Sequence, residues 1–204
     1  MPRITPILNQ VGRRAIQDLD LLKVLQSEIK HELSSPPLQD NKSGSLGAFV
    51  VDSDSSQSED VVLRRKFESG EEVAVSALLG PETFGNCCTF PRAVLMKVCL
   101  KKPGLSSILQ FDCGVTEKGT TGSQFDIYNA YYFQSLTSPK PSVYRGPLFS
   151  TLDPSLQDAL KDCLVEKGIT ESLTSFLLLH LHKKEQGQYI NWLHKLESLV
   201  MKSN

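Results

Sequence analysis

The sequence predicts an α+β fold in which one N-terminal helix precedes an antiparallel sheet of about seven strands and further helices close the chain. Hydrophobic period carries most of that expectation. Apolar residues recur at three- and four-residue steps near both ends, whereas the middle holds short β-branched and aromatic runs. Turn residues supply the rest, because Gly, Pro and Ser fall between the middle runs at the spacing of a meander.

Over 15–34, Leu19, Leu22, Leu25 (or Val24), Ile29 and Leu33 trace one face of a helix, and Pro36 and Pro37 end it. Residues 34–58 are rich in Ser, Asp, Gly and Asn and read as a loop carrying one strand at 46–51. The runs 61–67, 73–79, 93–100, 107–113 and 125–133 follow as strands, with a last extended piece near 144–149. Ser69-Gly70, Gly80-Pro81, Pro103-Gly104 and the glycines of 119–122 are the expected turns. Pro139, Pro141 and Pro147 keep the end of this region loop-like or at a sheet edge.

The C-terminal helices are expected over 153–203. Asp153 suits an N-cap and Pro154 the first helical position, where its missing N–H costs nothing. Leu156, Leu160 and Leu164 form a stripe, Gly168 suits a left-handed C-cap, and Thr170 opens a helix carrying Leu173, Leu177 and Leu181. Gly187 is expected to break it. In the last helix, from Gln188 to about Val200, Ile190, Leu193, Leu196 and Val200 share one face while Tyr189, Trp192 and Leu199 share another. That is more apolar surface than one buried face requires. Either the second stripe packs within the monomer or it packs on a partner. A fully buried Leu or Ile contributes roughly 1.5–3 kcal/mol, so three or four such residues are enough to drive association. The candidate oligomer contacts are therefore Leu22, Leu25, Ile29, Tyr189, Trp192, Leu193, Leu196 and Val200.

Formal net charge is -1, yet residues 1–39 sum to +1, 40–82 to -5, 83–149 to +4 and 150–204 to -1. So small a total gives no general attraction to nucleic acid or anionic membrane, and any such binding must be local. Five cysteines without paired disulfide spacing, Cys87, Cys88, Cys99, Cys113 and Cys163, favour free thiols in a reducing compartment. The densest apolar run, 176–181, is interrupted by His180 and is too short to span a bilayer. Residues 1–14 carry Arg3, Arg13 and Arg14 with no acid, the charge bias of a short targeting segment, and residues 15–204 read as a single domain.

No catalytic constellation emerges. His31, His180, His182 and His194 all lie in expected helices with no G-x-S-x-G or H-E-x-x-H around them, and on a helix His180 and His182 diverge by about 200°. Cys87-Cys88 is a vicinal pair in a turn, open to a redox or soft-metal role or to none. Cys99 and Cys113 sit among strand hydrophobes and read as core. The glycines of 114–122 do not match a phosphate-binding loop and join two strands, so they read as a hairpin. The chain is accordingly read as a non-enzyme with no cofactor and no metal.

Arg92, Lys97, Lys101 and Lys102, with Lys118 and Arg145 nearby, are the candidate nucleic-acid contacts, and Tyr128, Tyr131, Tyr132 and Phe133 could stack on bases. The other reading makes the lysines solvated edge protection and the aromatics sheet core.

The first helix (LLKVLQSEIKHEL, 21–33) and the closing run from LDPSLQDALKDCLVEKGI to QGQYINWLHKLESLV (152–200) resemble the mitochondrial glycoprotein family, acidic matrix proteins that include the complement-subcomponent-binding protein. Leu152, Asp153, Leu156, Leu160, Leu164, Gly168, Tyr189, Leu193, Leu196 and Val200 carry the likeness. It implies a twisted seven-stranded antiparallel sheet flanked by N- and C-terminal helices, in a ring-shaped homotrimer without an active site. It also implies a chaperone-like scaffold of the mitochondrial matrix that binds itself and other mitochondrial proteins and supports mitochondrial translation, ribosome assembly or oxidative phosphorylation. RNA binding, and residence in cytosol or nucleus, are the alternatives. One departure is charge: the family is strongly acidic and this chain is at -1.

Overall fold

The computed structural model of the chain describes residues 5–36, 44–82, 90–119, 122–135 and 143–202, with side chains from Leu19 to Met201. The chain divides into two compact units, residues 1–38 with 185–204, and residues 39–184. Cys87-Cys88, Pro139 and Pro141 lie outside the described residues.

The larger unit holds a six-stranded antiparallel meander in chain order: β1 (Val50–Ser53), β2 (Val61–Lys66), β3 (Glu72–Glu82), β4 (Arg92–Lys101), β5 (Ile108–Lys118) and β6 (Gly122–Phe133). Strand alternation builds its core. Leu63, Val75, Val98, Phe111 and Ala130 align across five strands, as do Val61, Ala77, Met96, Cys113 and Ile127. Most are fully buried. The opposite face carries Arg64, Ser76, Lys97 and Asp112, so side chains alternate between an apolar face and a mixed one.

Two expectations about the sheet change. Gly80-Pro81 is not a turn but lies inside β3, where pairing with β4 skips between Leu79 and Glu82. The Arg92 guanidinium donates to the carbonyls of Gly80 (2.5 Å) and Leu79 (3.3 Å) there, so a bulge accommodates the proline. The piece expected at 144–149 makes only a bridge from Leu148 to Asn129, with the Tyr132 N–H donating to Arg145 O (2.9 Å), before a 3-10 turn at Phe149–Thr151. Pro147 lacks an N–H and cannot extend that ladder. Six strands are therefore present among the described residues.

Helix α2 (Pro154–Glu166) and the first part of α3 (Glu171–Lys202) cover the apolar face. Asp153 caps α2 by accepting from the Ser155 N–H (2.9 Å). A Schellman turn closes it: Gly168 has φ 100°, and the Ile169 N–H reaches Leu164 O (3.0 Å). Only the end of the expected α2 stripe is buried, with Leu164 at 0% and Leu156 at 45% exposure. Leu173, Leu177, Leu178 and Leu181 complete the core. Polar staples fix the position of these helices on the sheet. Arg65 donates to Lys167 O (3.0 Å), the Ser123 hydroxyl lies 2.7 Å from that of Thr174, and Lys167 pairs with Glu71 (2.7 Å). The ammonium of Lys167 and the guanidinium of Arg65 both sit over the Phe67 ring.

In the smaller unit α1 (Thr5–Ser34) pairs with the C-terminal part of α3. Helix α1 begins ten residues before the expected start at 15. Helix α3 is continuous through Gly187, against the expected break, because one interior glycine costs only about 1 kcal/mol and a long helix absorbs it.

Candidate interaction surfaces

The helix pair is antiparallel, as two cross-links show. Gln26 Nε2 donates to Glu197 Oε1 (3.0 Å) and the Tyr189 hydroxyl donates to Glu28 Oε1 (3.2 Å), so advance along α1 is retreat along α3. Leu25, Ile29 and Leu193 form the seam at 6%, 7% and 2% exposure, and Leu196 and Val200 pack against it. Five of the eight sequence-derived oligomer contacts therefore serve this intrachain seam; Leu22 is half-buried.

What remains open is the second row. Tyr189 is 37% exposed, Trp192 53% and Leu199 64%, and the Tyr189 and Trp192 rings stack at 6.0 Å. On α1, Val24 (65%) and Leu21 (48%) lie one and two turns before Glu28 on the same face, beside the stretch where α3 carries Trp192. Loss of hydration and the neighbouring Glu28 carboxylate push the Tyr189 phenol up, so it stays a neutral donor at physiological pH. Leu21 and Val24 were not among the sequence-derived contacts; their position one residue off the buried face was the available signal.

The candidate basic residues lie on and beside β4. Arg92 is committed to β3 carbonyls. Lys97 is exposed on the mixed face but stands in register with Asp112, and Lys101 stands opposite Glu72, which also pairs with Lys66 (3.1 Å). Lys102 lies close enough to Glu71 to help hold that carboxyl low, after the dominant hydrogen bond from Lys167. Arg92 thus bonds carbonyls, while Lys97, Lys101 and Lys102 have acids among their neighbours. The aromatics divide as well. Tyr131 and Phe133 meet edge-on at 6.3 Å under the Arg145 guanidinium, Tyr132 points to the other face, and Tyr128 lies over Gly114 where a bulge shifts β5 against β6.

His180 and His182 make contacts within the larger unit. Asp54 joins the loop after β1 to α3 by accepting from Lys184 (2.6 Å) and His180 (2.8 Å), and His182 Nδ1 lies 2.8 Å from Leu178 O with its ring against Phe90. Burial pushes the Asp54 carboxyl up, but the Lys184 and His180 hydrogen bonds outweigh it and leave the carboxyl below the usual aspartate value. Cys113 is core, its thiol pushed up to about 12 by burial and then by Asp112 and Asp126. Cys99 is only half-buried on the mixed face, near Gln110. Among the described residues, no group of three or more His, Cys, Asp or Glu is placed to hold a metal ion, and no helix is long and apolar enough to cross a membrane.

Comparison with known proteins agrees with this architecture. Two solved structures share the fold: a Leishmania major protein of unknown function, described as a sequence homologue of human p32, and the p22 protein of Trypanosoma brucei. The first superposes with a TM-score of 0.71 at 18% identity, covering 90% of this chain and 99% of that one. The second gives 0.70 at 19% identity, covering 91% and 99%. Over 111 residues the chain is 35% identical to the mitochondrial acidic protein mam33 of Schizosaccharomyces pombe, a stretch that makes up 50% of this chain and 39% of that relative. The model of the mitochondrial glycoprotein family matches residues 91–200, from the start of β4 to near the end of α3. On that match, which covers more than half of its length, this chain belongs to the mitochondrial glycoprotein family.

Proposed function

We propose that this chain is a non-enzymatic scaffold of the mitochondrial matrix that works as a ring-shaped homotrimer and binds other mitochondrial proteins. The observation that carries the assembly is the second apolar row on the helix pair. Leu25, Ile29 and Leu193 already satisfy the seam, yet Leu21, Val24, Trp192 and Leu199 remain exposed beside it. Apolar surface repeated along one face of a two-helix unit is the signature of a further packing partner.

Family membership and the mitochondrial name of the fission-yeast relative support the location, and a matrix scaffold of this kind serves translation, ribosome assembly or oxidative phosphorylation. A fluorescent fusion at the C-terminus, leaving Met1 free, tests residence. The assembly is tested by light scattering at micromolar concentration, where a mass three times that of the 22.6 kDa chain is expected. Trp192→Asp should disperse it while the helix pair stays folded. Replacing Leu193 would not separate the two roles, because that side chain belongs to the seam. A single-chain mass for the unaltered protein overturns the proposal.

A further inference from the structure

Five serines in the described structure carry a carboxylate three residues further on, namely Ser56, Ser69, Ser123, Ser150 and Ser155. Kinases that read this pattern bind the acid in a basic groove and require the hydroxyl and the acid to be accessible together. Ser123 is 3% exposed inside β6, and Ser155 is held in the first turn of α2. Ser150 lies in the 3-10 turn and has a single acid nearby, Asp153. Ser56 and Ser69 remain, each among several acids.

The structure separates those two. Ser69 occupies the tight turn between β2 and β3, closed by backbone bonds from Phe67 to Glu71 O and from Gly70 to Phe67 O (2.9 Å each), with Gly70 at φ 83°. Its acids are already paired, Glu71 with Lys167 and Glu72 with Lys66. Ser56 sits instead at the apex of a turn within the seven-residue loop 54–60, where the Ser58 N–H reaches Ser55 O (3.2 Å). Residues 52–60 hold Asp52, Asp54, Glu59 and Asp60 with no basic residue; Asp52 pairs with Arg64 and Asp54 with Lys184, but the acid three residues after Ser56, Glu59, is exposed, as Ser56 is. Asp54 ties one end of the loop to α3 and Lys184 holds the Asp60 carbonyl (2.7 Å) at the other, so the apex is presented between two fixed points.

We infer that Ser56 is the phosphorylation site of this chain for an acid-directed serine kinase, with Glu59 as the recognised carboxylate. The γ-phosphoryl group of a nucleoside triphosphate passes to Ser56 Oγ. The new O–P bond replaces the bond to the β-phosphate oxygen, and the hydroxyl proton leaves to the carboxylate base of the kinase. The product adds roughly -1.5 to -2 charges at pH 7 to a block, 40–82, already at -5.

The full chain incubated with ATP and an acid-directed kinase such as casein kinase 2, then mapped by mass spectrometry, should carry phosphate on Ser56 and not on Ser69. Ser56→Ala should remove the label. Glu59→Lys should slow incorporation by about tenfold or more, the value of one charge-assisted contact, with an unchanged circular dichroism spectrum showing that the fold is intact. Ser69→Ala should leave the rate as it was. Label on Ser69, no label at all, or an unchanged rate in Glu59→Lys overturns the inference.

Discussion

In the proposed assembly neighbouring residues on α3 have opposite duties, and substituting each separately tests both. Leu193 is 2% exposed against Leu25 and Ile29, so Leu193→Ala removes three buried carbons at about 0.8 kcal/mol each and leaves a cavity. Together these predict a loss of roughly 3 kcal/mol from the helix pair. Trp192 is 53% exposed, so truncating it should cost the isolated chain little. About half of a tryptophan's roughly 200 Å² is left for a partner, and at about 25 cal/mol per Å² that surface contributes roughly 2.5 kcal/mol to each contact. Trp192→Ala should therefore weaken association by about 60-fold per contact. Amide hydrogen exchange across 186–200 reads the first effect locally, which matters because the chain has two units and need not unfold in one step. Light scattering over a dilution series reads the second. The reasoning fails if both substitutions raise exchange equally in dilute protein, or if Trp192→Ala leaves the dissociation midpoint in place.

Three further outcomes follow from the larger unit. Asp54 has its pKa lowered in the folded state, so its contribution is full above the ordinary value of 3.8 and is lost as pH falls through the folded value; acid titration should show Asp54→Asn less stable at neutral pH, the gap closing at the acid end. Gly44 lies so close to α3 that a Cβ would overlap the Ser172 carbonyl oxygen and the Phe176 N–H, both backbone, so Gly44→Ala should displace the loop and lower the melting midpoint by several degrees, on the order of 1–3 kcal/mol. Cys113 should resist alkylation at pH 8 in the native protein and react on unfolding, since burial holds its thiol up at about 12; rapid native labelling would contradict its place in the core.

Much of the fold was legible in local chemistry. Asp153-Pro154 and Gly168 mark the ends of α2 because capping and left-handed backbone geometry are properties of a few adjacent residues. The strand runs could be read for the same reason, since alternation exposes one face per residue type. Gly80-Pro81 and Gly187 misled because each is a local breaker overruled from a distance, one by the Arg92 guanidinium on the neighbouring strand and the other by the length of the helix around it.

The candidate surface was only half legible. Periodicity identified two apolar stripes on the last helix, and with them the excess that suggests a partner. Which stripe meets α1 and which stays open depends on the antiparallel register set by Gln26 with Glu197 and Glu28 with Tyr189, pairs separated by more than 160 residues. The sequence by itself determined that these helices carry more apolar surface than one face can bury. Only the tertiary structure decided that Leu193 is buried inside the chain and Trp192 stays exposed, because that choice rests on which helix approaches from which side.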